Sequence, residues 1–262
     1  METQEIKTFN VVEQRSEIAC MRTGFRMALD NIWQQMAYSW PSIVLTILCP
    51  LFYFLFAAQL DAIFQKWMEL GYLPKVKPLT LRQLTTKRLT RSLLAMLLIV
   101  LCVLLGVGFA VLAAQLGAGV WMGVAVAFLM WLLLLPVDAV VMTLSYTDEP
   151  IKSALCRIPV GARHYGMLFS FHFVVTLCAL LAIALFSLPL VAVGIAQYSA
   201  ILSSAMGDEA VLPASFPLIR LSAYWISAFV VLQVVAICRT MHVLLWGSIA
   251  AKESENYETP IK

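Results

Sequence analysis

Forty-six consecutive residues, Ser92 to Val137, contain no Asp, Glu, Lys or Arg. A second uncharged run covers Gly166 to Gly207, and a third Tyr38 to Leu60. Each exceeds the roughly 20 apolar residues that span the hydrocarbon of a bilayer. With no water there, the backbone must satisfy its own hydrogen bonds, and continuous apolar runs do this only as helices. A β-barrel would show short alternating segments instead. The expected fold is an all-α, polytopic transmembrane helical bundle of about five spans, with an amphipathic interfacial helix before the first.

Composition agrees: 61% of the 262 residues are hydrophobic and 13% charged, against roughly 25% charged in a soluble domain. The six cysteines are scattered, with no Cys-x-x-Cys and no Cys/His set at metal spacing, so they read as small apolar residues. No sequon for N-glycosylation occurs, and the acidic N-terminus lacks the basic-then-apolar form of a cleavable signal.

Residues 1–37 read as a polar tail and the amphipathic helix, with Ile18, Met21, Phe25, Ala28, Leu29, Ile32 and Met36 at helical spacing. That helix either lies along the membrane surface or packs on the protein's own face. The transmembrane domain covers 38–251, with spans expected at 38–60, 92–114, 119–144, 166–188 and 221–248, and 252–262 forms a polar tail. Pro50 sits at mid-depth of the first span and should kink or break it, so that this span either crosses or dips in and returns. The 46-residue run would stretch about 69 Å as one helix, so it must fold back, at Gln115–Ala118. Small residues repeat every four positions on both sides of that turn: Gly106, Ala110 and Ala114, then Gly119, Gly123 and Ala127. Such stripes let two helices approach closely in lipid. The segment 190–207, beyond Pro189, reads as a tilted continuation, a re-entrant piece or an outer interfacial helix.

Ten Lys and Arg lie in the two connectors 61–91 and 145–163, which places both connectors and the C-terminus in the cytoplasm. Five full spans would put the N-terminus outside, yet its basic helix resembles a cytoplasmic element. Arg82, Lys87, Arg88 and Arg91 form a basic juxtamembrane segment expected to contact anionic lipids. Trp33, Trp40, Trp121, Trp225 and Trp246 fall near expected span ends, as aromatic belts require.

Ionisable residues inside spans are costly and tend to find partners or a watery cavity. Asp138, His172, Arg239 and His242 are such residues, and the first three share an expected depth from the cytoplasmic side. An Asp138–Arg239 pair with His172 nearby is the expected arrangement, serving either as a static register lock or as a polar site for an anion or protons. Pro136 should free a backbone carbonyl close to it.

No nucleotide-binding glycine loop, nucleophile elbow or metalloprotease motif occurs, and no cofactor, metal or nucleic-acid partner is expected. Three functions stay open. One is a non-catalytic subunit, assembly factor or scaffold working through helix packing, with itself or another membrane protein as partner. The second is a small transporter or permease using the polar cluster; the third is an integral-membrane enzyme. The missing sequons point to a bacterial inner membrane.

Overall fold

The computed structural model describes residues 10–70, 80–113, 115, 119–207 and 212–258. The described residues are helical almost throughout and contain no strand. The helices are α1 (Glu17–Asp30), α2 (Ile32–Leu48), α3 (Tyr53–Leu70), α4 (Thr86–Ala113), α5 (Gly119–Leu134), α6 (Asp138–Tyr146), α7 (Ile151–Leu155), α8 (Ile158–Arg163), α9 (Tyr165–Phe186), α10 (Leu188–Ala205) and α11 (Phe216–Glu258). Five segments are long and apolar enough to cross a membrane: Thr86–Ala113, Gly119–Tyr146, Tyr165–Phe186, Leu188–Ala205 and Phe216–Glu255. The number agrees with expectation; the identities differ in two places.

The expected span 38–60 is not one helix. α2 ends at Leu48, a 3-10 turn covers Pro50–Phe52, and α3 starts at Tyr53. Ser42 donates to the Gln59 amide oxygen across this break. These two residues are equally far along the chain from the Pro50 turn, so α2 and α3 are the antiparallel arms of a hairpin. Pro50 has no N–H to continue the α2 ladder and suits the first position of a new helical turn, so the break falls there.

The segment 190–207 is helix α10, and it continues α9. Ser187 donates to the Ile183 carbonyl at 2.9 Å and its own carbonyl accepts from Val191 at 3.0 Å, so the ladder passes through the junction and Pro189 bends it. α9 and α10 together run antiparallel to α11. Asp138 ties His172 to His242, Ser227 donates to the Phe186 carbonyl at 3.2 Å, and Arg220 donates to Gln197 at 3.4 Å.

The same logic orders the rest. Lys87 bonds Asp148, and Arg91 bonds the carbonyls of Thr143 and Leu144. These pairs are symmetric about one point of the chain, so α4 and α5–α6 form a hairpin; of the turn expected at Gln115–Ala118, residues 116–118 lie outside the described residues, as do Ala114, Asp208 and Glu209. At the other end of the chain, Arg15 exchanges hydrogen bonds with Ser248, at 2.9 and 3.0 Å, and Tyr224 donates to the Ile47 carbonyl at 2.7 Å. α1 and α2 therefore run antiparallel along α11. The first and last helices begin and end at the same end of the bundle, which also carries the start of α4 and the end of α6. We refer to it as the connector end.

α3 is the centre. Every residue from Phe56 to Gln65 is buried, as is Trp67, and α2, α4, α6 and α11 surround it. Residues Phe56, Leu60, Phe64 and Trp67 pack one face into the main core with Tyr146, Phe171 and Leu244. α10, by contrast, buries none of its residues. α1 lays Cys20, Gly24, Met27 and Ala28 against α11, while Ile18, Phe25 and Leu29 stay exposed. The smaller residues make this contact because the backbones come close: a methyl group on Gly24 would sit 2.6 Å from the Met241 Cα. The predicted apolar stripe of α1 is thus largely the outward one. Trp246, expected in an interfacial belt, is 4% exposed and part of the core, because the expected end of α11 lies against α1 and the N-terminal segment.

Candidate functional site

The polar interior is built on five helices, α3, α4, α6, α9 and α11, and a proline places its first member. Pro136 interrupts the long Gly119–Tyr146 run: α5 stops at Leu134, a 3-10 turn covers Leu135–Val137, and α6 opens on Asp138. Pro136 has no N–H for the Leu132 carbonyl, and the Tyr165 hydroxyl donates to that carbonyl at 3.1 Å instead. Gly161 allows the close approach of α8 here; a methyl group on it would run into the Pro136 backbone.

Asp138 meets two histidines. His172 Nε2 lies 2.9 Å and His242 Nε2 2.8 Å from the same carboxylate oxygen, Oδ2. The Tyr146 hydroxyl is 3.2 Å from His242 Nδ1. With His242 neutral, Nε2–H donates to Asp138 and Nδ1 accepts from Tyr146. The rings are held by aromatic neighbours: His172 and His242 sit edge to face with centroids 5.2 Å apart, and Phe171 contacts both. Tyr146 packs edge-on to Phe64 of the central helix.

Arg239, one turn before His242, has a different carboxylate partner from the one expected. Its guanidinium pairs with Asp61 of α3. Ser92 donates to the other Asp61 oxygen at 2.8 Å, and Arg239 also reaches Tyr53 at 3.5 Å and Ser145 at 3.4 Å. The expected Asp138–Arg239 pair is therefore replaced by two adjoining clusters, Asp61–Arg239 and His172–Asp138–His242. Asp61 was missed because it directly follows an uncharged run and reads as the start of a connector. The recurring apolar residues at 56, 60, 63, 64 and 67 are the signal that the helix runs on and buries it. Tyr146 carries no sequence signal of its own.

Cavities touch this polar interior from three sides. One of about 220 Å³ is lined by Ile99, Cys102, Trp131, Asp138 and His172. A second, of about 360 Å³ between α9 and α11, is lined by Phe171, His172, Cys238, Arg239 and His242 among others. A third, of about 290 Å³ near the connector end, includes Gln65, Arg88, Arg91, Ser92, Ser145 and Asp148 in its walls. It reaches the two serines that bond Asp61 and Arg239.

The chain matches no protein-family model, no curated protein and no solved structure.

The other sequence candidates are placed as follows. Arg91 turns inward: it is buried and donates to the carbonyls of Thr143, Leu144, Thr147 and Glu149. It caps the end of α6, where the last carbonyls of a helix lack intrahelical donors, and so it is not exposed for the headgroup contact expected of it. Arg88 donates to Gln65, Lys87 pairs with Asp148 at 2.9 Å on the surface, and Arg82 is exposed. Of the small-residue stripes, Gly123 is buried, Ala110 and Ala127 are half-buried, and Ala114 lies outside the described residues. α4 and α5 do pack together, but a methyl group on Gly106 or Gly119 would meet no atom within 4 Å. Those two glycines stand beside the contact line.

Proposed function

We propose that this multi-pass membrane protein is a small permease-type carrier whose working site is the Asp138, His172 and His242 cluster, walled by Arg239. The observation that carries this reading is that cavities reach the cluster at Asp138 and at Arg239. A charge buried only to lock helix register needs no such access. Intramembrane ionisable groups that face a cavity are where ion and proton pathways run. The Asp61–Arg239 pair forms the fixed wall, since both partners are hydrogen-bonded and Asp61 is 1% exposed. The positive-inside rule favours a cytoplasmic connector end, and the exposure of Arg82 and Lys87 there supports contact with anionic headgroups.

Two native thiols test the proposal. Cys102 lines one cavity and Cys238 the other. Chains retaining only one of them are treated with a charged, water-soluble thiosulfonate reagent in membranes. Modification of either thiol means water enters, as a carrier site requires. Protection of both, with labelling after detergent denaturation, sinks the proposal.

A scaffold or subunit role has one observation of its own. α10 is apolar and buries no residue, which leaves a continuous face for lipid or for a second membrane protein. A stable heteromeric complex lost on introducing charges along α10 would favour it.

A further inference from the structure

The site's three ligand-type atoms converge on one point. One ligand-type atom from each of Asp138, His172 and His242 lies within 4.8 Å of the other two, and the two histidine Nε2 atoms lie 2.9 and 2.8 Å from Asp138 Oδ2. The three residues are separated by 34 residues and by 104 residues along the chain, so no metal-ligand spacing is visible in the sequence. We propose that they bind a divalent first-row transition-metal ion, of the zinc, iron or cobalt type, through two imidazole nitrogens and one carboxylate oxygen.

Four features of the site support this. Two imidazoles and a carboxylate are borderline ligands that suit these ions; Mg²⁺ and Ca²⁺ prefer all-oxygen shells. Both Nε2 atoms aim at the same carboxylate oxygen rather than spreading over two, so an ion placed between the three displaces the Nε2 hydrogens without moving the helices far. The His242 ring is also supported from behind. Metal-bound histidines almost always donate their other N–H to a fixed acceptor, and Tyr146 Oη stands 3.2 Å from His242 Nδ1 to take it. Phe171 and the edge-to-face contact of the two imidazoles hold their orientation.

The electrostatics also fit. The nearest cation on the same helix, Arg239, is already paired with Asp61, so with both imidazoles deprotonated for binding an incoming dication meets the Asp138 carboxylate. Three protein ligands leave coordination positions open, and the cavities of about 220 and 360 Å³ lie against Asp138, His172 and His242. Water or a small ligand can complete the shell from either.

This inference goes beyond the carrier reading and stands without it: a metal bound in a bundle closed to water would be structural. The test is Co²⁺ titration of the full-length, chelator-treated protein in detergent, followed by visible absorption, with Zn²⁺ as competitor. One equivalent of Co²⁺ is expected to bind with ligand-field bands that Zn²⁺ abolishes. His172→Gln, checked for monodispersity and unfolding temperature in the absence of metal, is expected to weaken binding at least about 100-fold. Tyr146→Phe, which keeps all three ligands, is expected to weaken it about 10- to 100-fold. Absence of any cobalt band in the unaltered protein overturns the proposal, whatever the variants do. Equal affinity in a folded His172→Gln protein overturns it too, since the ion would then sit elsewhere.

Discussion

At the scale of single residues, the interior separates charges that are fixed from groups that are accessible. Asp61 and Arg239 hold each other, and removing one leaves the other buried and unpaired, which costs about 3–5 kcal/mol. Asp61→Asn and Arg239→Gln are therefore expected to lower the unfolding temperature strongly in detergent. The double variant is expected to recover part of the loss, because neither residue is then an orphan. If Asp61→Asn leaves the melting curve unchanged, the pair does not hold the bundle. Glycines divide in the same way. Gly161→Ala puts a methyl group into the Pro136 backbone and Gly24→Ala puts one against Met241, each expected to cost about 1–3 kcal/mol as overpacking does. Gly106→Ala meets open space and is expected to be neutral or slightly stabilising, since alanine favours the helix. Thermal denaturation of the three variants side by side checks the ranking.

At the scale of elements, the decisive places are the breaks. Pro50, Pro136 and Pro189 each interrupt an apolar run, but the sequence shows only that something must give. Pro50 reverses the chain, Pro136 swings Asp138 into the interior, and Pro189 merely bends a continuing helix. Which of these happens depends on tertiary partners: the Ser42–Gln59 bond, the Tyr165 hydroxyl on Leu132, and the antiparallel contact with α11. Those are long-range facts that hydropathy does not carry. His172 was legible because a polar residue in an uncharged run stands out, and Asp138 because uncharged residues continue beyond it to Thr147. Asp61 was not, because Lys66 and Glu69 follow it closely and give it the look of a connector, and Tyr146 was not, because it carries no charge. Tyr165→Phe is expected to cost about 1 kcal/mol by leaving the Leu132 carbonyl unpaired, and unfolding measurements resolve that difference.

The end of α6 should respond to acid. A hydrogen bond from Lys87 holds the Asp148 carboxyl below the usual carboxylate range. Partial burial pulls Glu149 up, but bonds from Arg157 and Ser153 outweigh it and hold that carboxyl low as well. Carboxylates held low in the folded chain add stability that is present above their ordinary pKa, near 4, and is lost as pH falls through the folded values. The unfolding temperature is expected to drop below about pH 4, with a shallower drop in Glu149→Gln. Parallel curves for the two proteins would show that Glu149 contributes nothing.

At the scale of the whole molecule, the hairpin α2–α3 reconciles two signals that conflict in the sequence. Its two arms run antiparallel, so the described N-terminal segment and the end of α11 lie at one end of the bundle. The loop charges and the basic N-terminal helix then agree. Reporter domains fused to the two termini are expected to read out the same compartment; opposite compartments would contradict the topology.

The Asp61–Arg239 contact joins residues 178 positions apart, which gives the bundle an order in time. A ribosome adding about 5–20 residues per second makes Asp61 roughly 10–35 s before its counter-charge exists. Through that interval the central helix carries a carboxylate with no cation to answer it, and Asp138 waits for His242 on the same last helix. A nascent chain must therefore stay near the translocon, or near a partner that shields these acids, until α11 arrives. A chain cut before Phe216 leaves Asp61 without Arg239 and Asp138 without His242 for good, and should be degraded rapidly in membranes where the full-length protein persists.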